Sequence, residues 1–339
     1  MSLEDLIIAP ATYHQWRKTH ETQFQLWGTG LTLEQYSKRE HIACRESDFG
    51  KMAWSGWRRL TTRLLAKATV APYILKKPTE AFENNIFTPE SKRHKGYAQR
   101  MMVLLHDQLA QKAFLSVLYS SVGDFYAHTK RSHPVASKSL GWRIVSPNQV
   151  VWPFDVAIST LTSTPKLSTI LRNDLQTICQ RDANLLKQEV TAFTRSAFAI
   201  LPTDYQIKWF LERYNFYASI SHTNPDNLKA VDNWGAQFND INSVDWAFAI
   251  WTYDLPSATL EILRMRCSTG EQLNAILSTA QQAARDLGMK RITAWNVDAN
   301  LLNAQWQNII RSDNLPAFAW YGETLEPEIW LANEHWGWC

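Results

Sequence analysis

A short basic loop joins an apolar run to a helix-spaced run, and this junction constrains the fold more than any other stretch. The first run ends at Ile86 and Phe87, and Gly96 closes the loop. Apolar residues then recur at helical spacing, namely Ala98, Met101, Met102, Leu104, Leu105, Leu109 and Ala113. The first amides of such a helix have no intrahelical partner, and the helix dipole adds positive charge there. We therefore expect the loop to form an anion site at a helix N-terminus.

The residues of the loop suit a pyrophosphate ligand. Gly96 permits close approach of the backbone, and Arg93 and Lys95 add positive charge. A second apolar run, 114–119, follows the helix and completes the order strand, loop, helix, strand. Neither a Gly-Lys-Ser/Thr phosphate loop nor a triple-glycine dinucleotide fingerprint is present in this segment. A solvated basic turn that merely caps a helix is the alternative reading of the same residues.

Composition excludes several classes of protein. The net charge of +3 over 339 residues, with no long basic block, predicts no nucleic-acid partner. No apolar run is long enough to cross a membrane, and the N-terminus lacks a signal pattern, so we expect a cytoplasmic protein with no membrane partner. The four cysteines have no paired spacing, which predicts reduced thiols and no metal site.

The length suits two domains, with a boundary in the Ser-, Thr- and Pro-rich segment 155–169. We predict domains at 1–155 and 170–339. The second half predicts, in order, helices 175–193 and 205–217, strands 246–252 and 258–265, helix 272–286 and strand 291–296. This order weakly repeats that of the first half. The second half lacks the basic glycine loop, and Glu271 places negative charge at the matching point, so we assign the anion site to the first domain only.

The loop residues resemble the (Gln/Arg)-x-x-Gly-x-(Gly/Ala) motif of the GNAT acyltransferase superfamily. Further phrases are similar to the fungal lysine N6-acetyltransferases of lysine catabolism, and this resemblance covers nearly the whole chain. These phrases are Phe-Thr-Pro-Glu (87–90), Lys-Gly-Tyr-Ala-x-Arg-Met-Met (95–102), Val-Leu-Tyr-Ser-x-Val-Gly-x-Phe-Tyr (117–126), Ala-Ile-Leu-Pro-Thr (199–203) and the Asn-Glu-x-x-x-Trp-Cys tail (333–339).

The resemblance implies a mixed α+β and α/β fold with tandem GNAT-like domains, each a central, mostly antiparallel sheet flanked by helices. It implies acetyl-CoA as acyl donor, without a metal. The implied coenzyme contacts come from the strand and the loop, namely Ile86, Phe87, Thr88, Arg93, His94, Lys95, Gly96, Tyr97 and Ala98. The chain departs from the family at Ser91-Lys92, where Glu-Tyr is usual, and at His94, where Gly is usual. An insertion, 127–139, also separates Phe125-Tyr126 from Gly141-Trp142.

Candidate catalytic groups follow from the chemistry of acyl transfer to an amine. The amine must lose a proton before it attacks, so a carboxylate is the expected base. Glu83, Glu334 and the terminal carboxylate of Cys339 are the candidates, and an exposed or structural carboxylate is the alternative for each. Tyr126 resembles the family's acid, which returns a proton to the CoA thiolate. Its alternative is a core tyrosine.

Three hypotheses remain open for the function of the chain. The first is an acetyl-CoA-dependent N-acetyltransferase for a small-molecule, lysine-like amine, working as a monomer or homodimer. The second is a paralogue of the same fold in a fungal specialised-metabolite pathway that performs different chemistry. The third is a non-catalytic binding protein that retains a vestigial CoA loop.

Overall fold

The computed structural model describes residues 7–10, 21, 23–25, 27–42, 73–76, 93–111, 115–129, 141–153, 167–220, 231–302, 306–321 and 327–338. Helices in these ranges are α1 (Leu33–His41), α2 (Tyr97–Ala110), α3 (Phe125–His128), α4 (Leu175–Ala192), α5 (Asp204–Ile220) and α6 (Gly270–Asp286). Strands are β1 (Ile7–Pro10), β2 (Tyr73–Lys76), β3 (Leu115–Ser120), β4 (Arg143–Ile144), β5 (Asn148–Pro153), β6 (Leu167–Thr169), β7 (Ala197–Ala199), β8 (Gly235–Phe238), β9 (Ala247–Asp254), β10 (Thr259–Arg266), β11 (Arg291–Trp295), β12 (Gln307–Ile310), β13 (Leu315–Trp320) and β14 (Ile329–Leu331).

The chain divides into two compact units. Unit 1 comprises Met1–Val145 and Ser312–Glu326, and unit 2 comprises Ser146–Arg311 and Pro327–Cys339. This division differs from the boundaries expected from the sequence, because residues 146–155 fall in unit 2 and residues 312–326 fall in unit 1.

Strand pairing explains why the boundaries differ. Strand β5 follows β4 along the chain but pairs with β11 and β12 in the sheet of unit 2. Strand β13 follows β12 along the chain but pairs with β3 and β4 in unit 1. Each unit therefore takes one strand from the opposite half of the chain, and neither half contains all the strands of its own sheet.

The main sheet of unit 2 has seven strands in the order β12-β5-β11-β10-β9-β8-β6. Only β10 and β11 run parallel, and the other neighbours are antiparallel. This arrangement confirms the expected mostly antiparallel sheet for this unit. A register shift between Ile262 and Arg264 marks a bulge in β10, and the parallel pairing with β11 stops at Ile262.

Helices α4, α5 and α6 accompany this sheet, and a large apolar cluster fills the unit. Trp152, Trp251 and Phe248 are among its fully buried side chains, and each contributes about 1.5–3 kcal/mol by burial. The predicted helices and strands between residues 175 and 296 are all found, with ends shifted by at most three residues.

The described part of unit 1 has a three-stranded antiparallel sheet, β3-β13-β4, and a two-stranded antiparallel sheet of β1 and β2. Helix α1 begins as its sequence predicts, because Thr32 and Gln35 form a capping box in which both bonds are present. Helix α2 buries Met101, Met102 and Leu105.

Candidate functional site

Helix α2 begins directly after the basic loop, as the sequence predicts. Gly96 is the N-cap with φ 78° and ψ 3°, and its carbonyl accepts the first helical bond from the Arg100 amide at 2.9 Å. His94, two residues earlier, also has a positive φ of 58°. Left-handed residues in such a turn aim successive amides in a similar direction, which is the geometry of a backbone anion site. These two left-handed residues are compatible with the predicted anion site, which stays a prediction.

The charge around this N-terminus is also suitable for an anion. Arg93, His94, Lys95 and Gly96 are exposed, and the first turn of α2 carries no acidic residue. A glycine N-cap has no side-chain oxygen to bond the first amides. Tyr97 and Ala98, which are also predicted coenzyme contacts, form the start of the helix and are half-buried.

The matching helix of unit 2, α6, is built in the opposite way. Thr269 Oγ1 accepts from the Gln272 amide at 3.2 Å, and Gln272 Oε1 accepts from the amides of Ser268 at 2.7 Å and Thr269 at 3.3 Å. Glu271 adds an acidic group to the first turn. This helix end is satisfied by its own side chains, and the assignment of the anion site to the first half alone stays a prediction.

Tyr126 lies in α3 and belongs to the same buried cluster as Met101 and Met102 from the second turn of α2. Trp142 is part of this cluster too, so the insertion between Tyr126 and Trp142 leaves the two residues packed in one core. Burial raises the pKa of the Tyr126 phenol to about 12. The phenol therefore stays protonated at neutral pH, as an acid must.

Glu334 lies in unit 2, and both its carboxylate oxygens have donors. Oε2 accepts from the Met265 amide at 2.7 Å, and Oε1 pairs with Arg264 Nη1. Burial raises the pKa of Glu334, against the opposing effects of Arg264 and the Met265 amide. These contacts make Glu334 an anchor of the tail, and its role as a base stays a prediction.

The tail occupies the point where β10 and β11 stop pairing. Besides the bond from Met265 to Glu334, the Asn296 side chain donates to the Asn333 carbonyl. The tail therefore accepts hydrogen bonds from Met265 and Asn296, which lie beyond the last residues that β10 and β11 pair with each other. Arg264 also donates from Nε to Asp182 of α4 at 2.7 Å, which links the tail to the core of unit 2.

Five predicted site residues lie outside the described residues, namely Glu83, Ile86, Phe87, Thr88 and Cys339. Two groups that the sequence analysis did not select are prominent in the structure. Asp182 is wholly buried in an ion pair with Arg264, and Glu261 lies in the middle of β10. The signal for both was a carboxylate at an otherwise apolar position of an amphipathic helix or a buried strand.

Within the described ranges, no group of three or more His, Cys, Asp or Glu side chains is placed to hold a metal ion. In the same part of the chain, none of the helices combines the length and the apolar character that crossing a membrane requires.

This chain is similar to one protein family and to several solved structures. The family model described as "LYC1 GNAT-like C-terminal domain" matches residues 151–339. A probable N-acyltransferase of Enterococcus faecalis V583, described as a conserved protein of unknown function, superposes with a TM-score of 0.53 at 11% identity, covering 92% of this chain and 72% of the other. A GCN5-related N-acetyltransferase of Anabaena variabilis gives 0.50 at 9% identity, covering 94% and 73%. A search of curated proteins finds no match. At such identities, the two structures show a shared fold alone.

Proposed function

The chain belongs to the LYC1 GNAT-like family, and from this premise we propose that it transfers the acetyl group of acetyl-CoA to a small-molecule amine. Lysine is the first candidate acceptor, because the tail and the loop resemble those of lysine N6-acetyltransferases. We take the two units as tandem GNAT-like domains, of which the first holds the coenzyme.

The observation that carries this proposal is the contrast between the two helix N-termini. The α2 N-terminus combines a left-handed glycine cap, an exposed basic loop and no acidic residue in its first turn. The α6 N-terminus is closed by Thr269, Gln272 and Glu271. A pyrophosphate is therefore favoured at the first helix and disfavoured at the second.

The reaction needs a neutral amine and a proton for the leaving thiolate. The amine nitrogen forms a bond to the thioester carbon, the carbon–sulfur bond breaks, and the sulfur takes a proton. In this proposal Tyr126 supplies that proton from its phenol and regains one from water. The proton lost by the amine passes to a base, for which Glu83 and Glu334 are candidates.

Titration with acetyl-CoA tests the proposal directly. A ligand that binds only the folded state stabilises it by about 2.7 kcal/mol at 100 times its Kd, so the melting temperature should rise with acetyl-CoA. Mass spectrometry of lysine incubated with acetyl-CoA and the protein should then show acetyl-lysine. No shift with acetyl-CoA would instead favour a binding protein with a vestigial loop. A shift without acetyl-lysine would favour different chemistry.

We expect Tyr126→Phe to lower kcat about 100-fold, because general-acid groups contribute roughly that much, while the shift with acetyl-CoA stays unchanged. Tyr321→Phe is the matched control. Tyr321 packs against the same cluster, burial also raises its pKa to about 12, and its phenol contacts Ser116 Oγ at 2.5 Å. Equal losses of kcat in the two variants would show that Tyr126 acts only through packing.

A further inference from the structure

Glu261 is a partly exposed carboxylate that receives no hydrogen bond from the described residues. It lies in the middle of β10, opposite Thr252 of β9 and Thr293 of β11, both of which are buried. None of the described residues donates a hydrogen bond to its oxygens, and its one ionic neighbour among them is His335, with Nδ1 at 3.6 Å from Oε2. A carboxylate without a protein donor leaves its acceptor sites to solvent or to a ligand.

His335 does not neutralise Glu261. Burial, with smaller contributions from Arg311 and Arg213, lowers the pKa of His335 to about 3, so the imidazole is neutral near pH 7. Its ring instead stacks on Trp295 with centroids 4.1 Å apart and an interplanar angle of 19°. The carboxylate consequently has no positive charge in direct contact with it among the described side chains.

The Glu261 side chain is not sealed from solvent. Its side chain keeps 24% of its exposure, against 10% for His335. Aromatic rings lie around His335, since Phe210 has its centroid at 5.4 Å and Trp338 at 5.8 Å. An alkyl chain that carries a cation suits such walls, because aromatic faces attract cations and cover apolar chains.

We propose that Glu261 binds the primary ammonium group of an alkylamine, within unit 2, between β10, β11, α5 and the tail. This subsite rests on the proposed function, because it concerns the same class of ligand, a primary alkylamine. Glu261 is a binding residue here, and the base that deprotonates the amine for attack is a separate group.

Charge supports this assignment. Burial and, to a smaller extent, Asp254 raise the pKa of Glu261, Arg213 and Arg291 oppose the rise, and the net pKa is about 8. A bound ammonium would favour the ionised carboxylate and supply the hydrogen bonds that the fold leaves out. Binding should therefore strengthen from about pH 6 to pH 9, while the ligand remains an ammonium.

The test is calorimetric titration of the full chain with cadaverine and with 1,5-pentanediol, which replaces both ammonium groups by hydroxyls. We expect cadaverine to bind more tightly, and Glu261→Gln to weaken cadaverine about 10–100-fold without changing the diol, because a charge-assisted bond is lost. Glu271→Gln, which removes an exposed carboxylate of the same unit, should bind cadaverine like the unaltered protein.

Glu261→Gln should also remain folded, since a carboxylate with a raised pKa destabilises the native state above its usual pKa and the amide does not. Equal affinities for cadaverine and the diol, or unchanged cadaverine affinity in Glu261→Gln, would overturn the subsite. A melting shift with acetyl-CoA on the same samples separates the two proposals. If acetyl-CoA gives no melting shift with the unaltered protein while cadaverine binds in a Glu261-dependent way, the transferase proposal fails and the subsite stands.

Discussion

Gly96→Glu should abolish coenzyme binding, with an affinity loss of about 1,000-fold or more. The substitution places a carboxylate and a Cβ at the cap of α2, where the pyrophosphate would approach the first amides. Juxtaposed like charges cost several kcal/mol when they cannot be solvated separately. Titration of the variant with acetyl-CoA, followed by calorimetry or by melting temperature, measures the loss.

The matched control for this variant is Gly30→Glu. Gly30 has φ 77°, almost the same as the 78° of Gly96, and an added Cβ there meets no atom within 4 Å. Both variants therefore add the same charge and the same left-handed strain, about 1–2 kcal/mol, to exposed turns of unit 1. Gly30→Glu should bind acetyl-CoA normally. Normal binding by Gly96→Glu as well would mean that the loop does not hold the coenzyme.

Local features of the fold could be predicted from the sequence because their determinants lie within a few residues. The capping box at Thr32, the apolar runs of β9 and β10, and the glycine at the start of α2 each depend on neighbours along the chain. Helical spacing after Gly96 was enough to place α2 and its buried face.

The features that were missed depend on contacts between distant parts of the chain. Strands β5 and β13 follow β4 and β12 directly, and nothing in their own residues tells which sheet each strand will join. Asp182 and Glu334 likewise appear as ordinary charges in the sequence. They become buried only because Arg264, 82 and 70 residues away, lies between them.

The insertion after Tyr126 shows that separation along the sequence does not decide which side chains pack together. The sequence spacing separates Tyr126 from Trp142, yet both side chains pack in the cluster of Met101 and Met102. Burial of two large aromatic groups depends on where the chain returns, whereas the length of the connection has only a weak entropic effect.

Arg264→Leu should lower the free energy of unfolding of unit 2 by about 3–5 kcal/mol, because removing one member of a buried ion pair leaves uncompensated charge. Arg264 is 5% exposed and contacts both Asp182 and Glu334. Asp182 retains Arg266, at 2.7 Å, whereas Glu334 loses its only ion pair among the described residues. Equilibrium urea unfolding of the full chain measures the difference. Arg172→Leu, which breaks the more exposed pair with Glu212, should cost about 1 kcal/mol or less.

The pH dependence distinguishes charge from packing in this variant. Burial raises the pKa of Asp182, but Arg264 and Arg266 outweigh it and hold that pKa below its usual value. In the unaltered protein this stabilisation is present above about pH 4 and is lost as the pH falls. In Arg264→Leu the unpaired Glu334 has a raised pKa, so its penalty is largest at neutral pH and is relieved on acidification.

The stability gap between Arg264→Leu and the unaltered protein should therefore narrow as the pH falls from about 7 to about 4. Adding Glu334→Leu to Arg264→Leu removes the unpaired carboxylate and should recover part of the loss at neutral pH. A gap that stays constant with pH, together with no recovery in the double variant, would show that Arg264 stabilises unit 2 by packing alone. The tail would then be held by apolar contacts such as those of Trp336, which is 1% exposed, and its buried ion pair would contribute little.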